Sequence, residues 1–214
     1  MGYRGIARNT VGQYPDYQIS GATIRMHLKH VSFTRMEDGT KDDYEFLEEL
    51  ESDAAKGLAD RVLKELQGTK DILGGYMIDR FEHSLQSATR AYRDGKSEEY
   101  VVMALLHDLG DGLAPYNHGE LAASVLRPYL SEESYWIVKH HGIFQAYYYA
   151  HHLGNDRDAR DRYKAEPFYE ATVEFCAKYD QNCFEPEYEN LPLEFFEPMV
   201  RKIFNRPAFT YDRS

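Results

Sequence analysis

The sequence predicts an all-α fold, and three observations carry that reading. Apolar residues recur at helical spacing in successive segments after residue 40. Capping residues stand in front of several of these segments, at Thr40, Asn117 and Ser131. No series of alternating apolar and polar positions reads as a set of strands, and there is no internal repeat or low-complexity tract.

A helix opens at Thr40, where Thr40-x-x-Asp43 resembles a capping box. It continues through Phe46, Leu47, Leu50, Ala54, Leu58, Val62 and Leu66 as one helix. Gly74-Gly75 breaks the chain. The next helix runs from Tyr76 to Tyr92, with Ile78, Phe81, Leu85 and Ala88 on its stripe, and Asp94-Gly95 ends it. Glu98 to Leu109 reads as a buried central helix, followed by a loop with Gly110, Gly112 and Pro115. Asn117 reads as an N-cap, with Glu120 at the third helical position, for a helix from His118 to Leu126. Ser131 starts a helix that carries Trp136, Ile137, Phe144 and Tyr148. After a charged loop, residues 156–164, Pro167 suits the first turn of a helix that reaches Cys183. Leu193 to Phe204 is a last amphipathic helix.

Residues 1–39 are read as an N-terminal arm, a lid or an oligomer contact, and residues 40–214 as a single helical domain. A chain of 214 residues is long enough to bury a sizeable core. The net charge of −11 argues against nucleic acid or an anionic membrane as partner. No apolar run approaches the roughly 18 residues of a membrane span. The N-terminus lacks an apolar signal core, so a cytoplasmic location is expected. Cys176 and Cys183 are expected to be reduced thiols.

The chemistry starts at His107-Asp108, which closes the apolar run Tyr100 to Leu106. A carboxylate behind such a run costs several kcal/mol unless something pairs with it. A metal ion suits, because neutral imidazole and carboxylate are both good ligands; a hydrogen-bonded His–Asp pair is the plainer alternative. His83 lies off the aliphatic stripe of its helix, and His118 falls in the first turn of another. Either alone reads as a surface residue. His140 and His141 follow Trp136 and Ile137 by four residues, so at least one points inward. Asp180 follows Cys176 by four, on the inner stripe of its helix. As a set, His83, His107, Asp108, His118, a histidine of the 140–141 pair and Asp180 come from five segments. They can meet in one core, as the ligands of carboxylate-bridged dimetal bundles do.

The pattern His83, His107-Asp108, Asp180 resembles the HD-domain superfamily, which implies an HD-domain helical bundle with a metal site in its core. Two further histidines, in Asn-His118-Gly-Glu and Lys-His-His141-Gly, resemble the dinuclear branch, in which one Asp bridges two metals. Within the pair, the resemblance selects His141, which is followed by Gly142 and preceded two back by Lys139. Phe-Glu-His83-Ser-Leu-Gln-Ser-Ala and Ala-Leu-Leu-His107-Asp-Leu-Gly are similar to the phosphonate-cleaving oxygenases of that branch. Val173 to Asp180 is similar to myo-inositol oxygenase. The likeness covers about residues 73–204.

This resemblance implies a mixed-valent Fe(II)/Fe(III) pair that uses O2 to cleave a C–C or C–P bond in a small hydroxylated substrate. The metal alternatives are Mn, Co or another divalent ion. The alternative activity is an HD-domain phosphohydrolase acting on a phosphate ester or nucleotide. A homodimer is left open. The chain departs from its relatives around the ligands. Gln145 and Ala177 stand where phosphonate-cleaving relatives carry basic residues, Leu73 and Tyr76 replace their lid residues, and Asp111 replaces the Lys of inositol-cleaving relatives. Lys178, Gln145, Lys139, Tyr76 and Asp111 are the candidate substrate contacts.

Overall fold

The computed structural model describes residues 30–72 and 74–208. Residues 1–29 of the expected arm, together with Leu73, lie outside the described residues. Backbone contacts divide the chain into two units, Met1–Glu48 and Glu49–Ser214, with the boundary inside the first helix.

In the first unit a 3-10 turn, Met36–Asp38, precedes the start of α1 (Lys41–Lys56). The Thr40 capping box forms. Asp43 N–H donates to Thr40 Oγ1 at 3.3 Å, and Thr40 N–H donates to Asp43 Oδ2 at 3.0 Å.

α2 (Leu58–Gln67) follows α1 after Gly57, where the sequence predicted one continuous helix. The two helices bury different amounts. α1 buries no side chain, whereas α2 buries Ala59, Val62, Leu63 and Leu66. Most helical stability comes from a packed face, so without one the poor helix former Gly57 ends α1.

The rest of the second unit comprises α3 (Arg80–Arg93), α4 (Glu98–Leu106), α5 (His118–Leu126), α6 (Glu132–Gln145), α7 (Tyr169–Phe175) and α8 (Leu193–Phe204). A π turn, Cys176–Asp180, continues α7, and 3-10 turns cover Ala146–Tyr148, Ala150–Leu153 and Ala159–Tyr163. No strand occurs among the described residues. No helix there is long and apolar enough to cross a membrane. Both cysteines are free and buried.

α4 is the centre of the core. Every residue from Val101 to Leu106 is at most 1% exposed, and α3, α6 and α8 pack against the helix. α5 and α7 pack on α6, and α2 packs on α8. Full burial explains why α4 has an apolar run instead of a stripe. Ser97 caps α4 by accepting from Tyr100 N–H at 3.2 Å, and Ser131 caps α6 by accepting from Ser134 N–H at 3.3 Å.

Four boundaries differ from the sequence reading. α3 begins at Arg80, not Tyr76, because the Asp79 carboxylate accepts from Glu82 N–H at 2.8 Å and so caps the helix. α4 stops at Leu106, before the predicted Leu109, and the chain turns through His107 and Asp108. Gly110 takes φ +90°, and a Cβ there would come within 2.4 Å of Leu121 Cδ2. Asn117 precedes α5 as expected, but its side chain makes no cap bond. α7 begins at Tyr169, not Pro167, and its continuation ends at Asp180, not Cys183.

Glu99 joins three parts of this unit. Its carboxylate accepts from Ser131 N–H at 2.9 Å, from Ser134 Oγ at 3.1 Å and from Arg206. Burial raises its pKa, but the Arg206 and Ser131 hydrogen bonds win and hold it below the ordinary value. A carboxylate depressed in the folded state stabilises the fold above its unfolded pKa, near 4.5, and loses that contribution as pH falls through the folded value. Glu99→Ala is expected to cost about 1–2 kcal/mol, or roughly 2–8 °C in Tm. Calorimetry at neutral pH and in acid checks this: the gap between wild type and variant should narrow in acid.

Candidate metal centre

The turn after α4 brings the His107-Asp108 pair into the space between α3, α5, α6 and the π turn. His83 comes from α3, His118 from the first position of α5, His141 from α6, and Asp180 from the end of the π turn. His83, His107 and Asp180 are 0% exposed, His141 1% and Asp108 6%.

The donor atoms converge in two groups that share Asp108. In the first, His83 Nε2 lies 3.3 Å from His107 Nε2, 3.5 Å from Asp180 Oδ1 and 3.5 Å from Asp108 Oδ2. In the second, His118 Nε2 lies 3.1 Å from His141 Nε2, and both lie close to Asp108 Oδ1, at 3.2 and 3.1 Å. Two donors bound cis to one ion at about 2.1 Å lie about 3 Å apart. The spacings therefore fit ligands waiting for a cation.

Two further observations support that fit. His83, His107 and His141 each hold Nδ1 against a backbone carbonyl, those of Cys183 (2.9 Å), Ala104 (2.8 Å) and Val138 (2.7 Å). A carbonyl only accepts, so Nδ1 carries the hydrogen and a neutral ring presents the Nε2 lone pair inward. Lone pairs facing each other at 3.3 Å repel unless a cation stands between them. In addition, Asp180 Oδ2 is buried with no hydrogen-bond partner among the described residues. Such an atom costs about 1–3 kcal/mol.

Charge follows the same logic. Burial lowers the His83 pKa more than Asp108 raises it, so His83 stays neutral. Burial also lowers His107, but Asp108 and Asp180 outweigh it and push His107 up to about 9. Burial likewise opposes the charged form of His118, and Asp108 more than compensates. Both Asp108 and Asp180 are held below the ordinary carboxylate range, against burial, by the surrounding histidines.

Around the ligands, Gln145 Nε2 donates to Asp180 Oδ1 at 2.6 Å. Asp111 Oδ1 lies 3.3 Å from His118 Nδ1, and Asp111 Oδ2 lies 3.1 Å from Arg80 Nε. Tyr76 stacks on Phe184, which stacks on His83, at 4.4 and 4.5 Å between centroids. These three candidate contacts thus border the cluster. The other two do not. Lys178 is exposed and pairs with Glu174 at 3.0 Å, and the Lys139 ammonium lies over the Tyr135 ring. His140 also stays out of the cluster: it stacks on Trp136, and its Nδ1 holds the Trp136 carbonyl.

Three participants escaped the sequence reading. Arg80 places Nη1 3.8 Å from Asp108 Oδ2. It stands three residues before His83, on the same helix face, and that spacing was the available signal. Phe184 covers His83 from a segment with no helical period. Gly119 lets α5 approach α6: a Cβ there would meet Val138 O at 3.0 Å and His141 Cε1 at 3.2 Å.

The fold and the cluster define an all-α domain whose buried His/Asp groups fit a divalent metal. Residues 80–177 match the HD-domain family, so an HD domain is present over that segment. HD-domain proteins are generally metal-dependent enzymes. No curated protein matches the chain.

If a metal takes these sites, it must displace the proton that His107 holds up to about pH 9. Affinity for a divalent ion should therefore rise with pH by at least about one log unit per unit, flattening near that value. Titration with Co(II) at several pH values checks it. A flat profile between neutral pH and 8 would remove His107 from the ligand set.

Proposed function

We propose that His83, His107, Asp108, His118, His141 and Asp180 would hold two iron ions in an oxygenase acting on a small hydroxylated substrate. The observation that carries this reading is the division of Asp108. Its Oδ2 lies 3.5 Å from His83 in the first group, and its Oδ1 lies against His118 and His141 in the second and 3.6 Å from His107 Nε2. Four imidazoles and two carboxylates form a donor set that suits iron. A mixed-valent pair would bind the substrate hydroxyl and O2 and supply oxidative cleavage of the adjacent C–C or C–P bond.

The chain's own residues do the rest. Gln145 fixes Asp180 through Oδ1 and leaves Oδ2 free. The backbone carbonyls at Cys183, Ala104 and Val138 hold three imidazoles in one tautomer. Phe184 and Tyr76 close an aromatic wall on the His83 side, which keeps water from that face. Tyr76, Gln145 and Asp111 border the cluster and are the substrate contacts that this reading retains.

A phosphohydrolase is the second reading, and Arg80 is the observation that favours it. A guanidinium 3.8 Å from Asp108 is a suitable partner for a phosphate oxygen. Paired metals also lower the pKa of a bound water. Arg80 is already engaged by Asp111 at 3.1 Å, which leaves less of its charge for a substrate.

Low-temperature EPR on iron-loaded, partly reduced protein separates the two. A coupled half-integer-spin signal with substrate-dependent O2 uptake is the oxygenase outcome. Hydrolysis of phosphate esters by manganese- or cobalt-loaded protein, without that signal, is the hydrolase outcome. His118→Ala tests the pair itself. His118 is the most exposed ligand, so the fold should survive while the second ion and the coupled signal are lost. Unchanged metal stoichiometry in that variant would sink the dinuclear assignment. Asp108→Ala should abolish binding of both ions and also lower stability.

A further inference from the structure

A cavity of about 230 Å³ opens beside α3, away from the ligand atoms, and its lining includes Arg90, Arg93, Asp94, Lys178, Asn182 and Tyr188. The two arginines share one aromatic ring, with Cζ of Arg90 4.2 Å and Cζ of Arg93 5.1 Å from the Tyr188 centroid. Stacking on the ring faces satisfies neither guanidinium's N–H groups. Arg93 donates to Glu189 O at 2.9 Å; Arg90 interacts with the Cys183 thiol, and its Nε is buried with no hydrogen-bond partner among the described residues.

Neither arginine pairs with a carboxylate among the described residues, although the chain carries a net charge of −11. Of the other charges at the cavity, Lys178 is ion-paired and Asp94 keeps its negative charge, so the arginines must outweigh one carboxylate. Asp94 accepts from Tyr179 Oη at 3.0 Å, and Lys178 pairs with Glu174 at 3.0 Å. Two guanidiniums one helical turn apart repel each other. An oxyanion in the cavity that accepts from N–H groups of both arginines would offset that repulsion.

The chain segments that line the cavity also carry metal-centre residues farther along. α3 supplies Arg90 and Arg93, and earlier in the same helix His83. The π turn supplies Ala177 and Lys178 and ends on Asp180, while Asn182 adjoins Cys183, whose carbonyl holds His83 Nδ1.

We propose that this cavity is an effector site for a small oxyanion, a phosphate or a dicarboxylate, held by N–H groups of Arg90 and Arg93. Occupancy tightens α3 against the 177–182 segment and so changes how firmly His83 and Asp180 are held. The binding step is independent of the proposed function, whereas its effect on metal retention rests on that reading.

Calorimetric titration of iron-loaded full-length protein with inorganic phosphate, and separately with malonate, tests the binding step. One saturable site is expected, and the tighter of the two anions identifies the ligand class. Arg93→Gln should weaken binding about ten-fold or more, and so should Arg90→Gln. Arg93 lies on the exposed face, so its variant tests the site even if Arg90→Gln unfolds. Equal affinity in wild type and Arg93→Gln, or no saturable binding of either anion, overturns the proposal.

The rate of iron removal by a chelator, with and without phosphate, tests the coupling. Phosphate should change it in wild type and not in Arg93→Gln. An equal effect in both proteins means that phosphate acts at the iron directly, and no effect in either removes the effector role. A protein that retains no iron fails the metal reading alone, because the titrations still report on the cavity.

Discussion

The structure depends on the burial of one carboxylate. Asp108 follows the most deeply buried helix of the chain and is itself only 6% exposed. In such a place an unpaired carboxylate costs several kcal/mol. The surrounding elements answer that cost. α3 brings His83 and Arg80, α5 brings His118, α6 brings His141, and His107 precedes it in the chain. Its Oδ2 turns to His83 and Arg80 and its Oδ1 to His107, His118 and His141, so this one side chain ties the cluster together.

The imidazoles are held by two kinds of support. Those of His107 and His141 are local, since each Nδ1 meets the carbonyl three residues back in its own segment. That of His83 is not, because its carbonyl belongs to Cys183, a hundred residues on. The distant support needs the chain after the π turn to lie in register on α3. A row of buried polar side chains on α3 supplies it. Ser87 Oγ donates to Tyr179 O, Gln86 exchanges hydrogen bonds with both backbone groups of Glu185, and Thr89 Oγ1 accepts from Leu191 N–H. Each of these groups would be costly if left unpaired, so a slipped register is disfavoured at several points at once. The polar face of α3 therefore positions His83 and Asp180 together.

Much of this was legible in the sequence. The all-α class, the buried α4, the α5 boundaries and the whole of α8 followed from apolar spacing and capping residues. The inward placing of His107, Asp108 and Asp180 followed from the cost of burying polar groups beside apolar positions, whereas His83, His118 and the choice of His141 followed from the HD-domain resemblance. What escaped depends on contacts between distant residues. The break at Gly57 reflects the absence of a packed face on α1, which α1's own apolar period does not reveal. The π turn reflects packing of segment 176–180 against α3 and α6. Lys178 was among the candidate substrate contacts. One extra residue per turn in a π turn changes which side chains share a face, and Lys178 points to Glu174 instead. His140 and His141 differ for a similar reason. Both are near the inner face by period, but Trp136 offers His140 a stacking partner, while Gly119 leaves room beside His141.

Charge balance shows why the cluster calls for a cation and not simply for more hydrogen bonds. Asp108, Asp180 and Asp111 set three carboxylates against one guanidinium, that of Arg80. With neutral imidazoles the group is left with an excess of negative charge at the edge of an apolar core. The proton that His107 retains up to about 9 offsets part of it, at the expense of the inward lone pair that a ligand needs. A divalent ion would offset more charge than a proton and could take several Nε2 lone pairs at once, which a proton on one ring cannot do. Binding to the folded chain alone also stabilises it by mass action. The same residues that are costly to bury without a cation would cross-link α3, the α4 turn, α5, α6 and the π turn with metal bound.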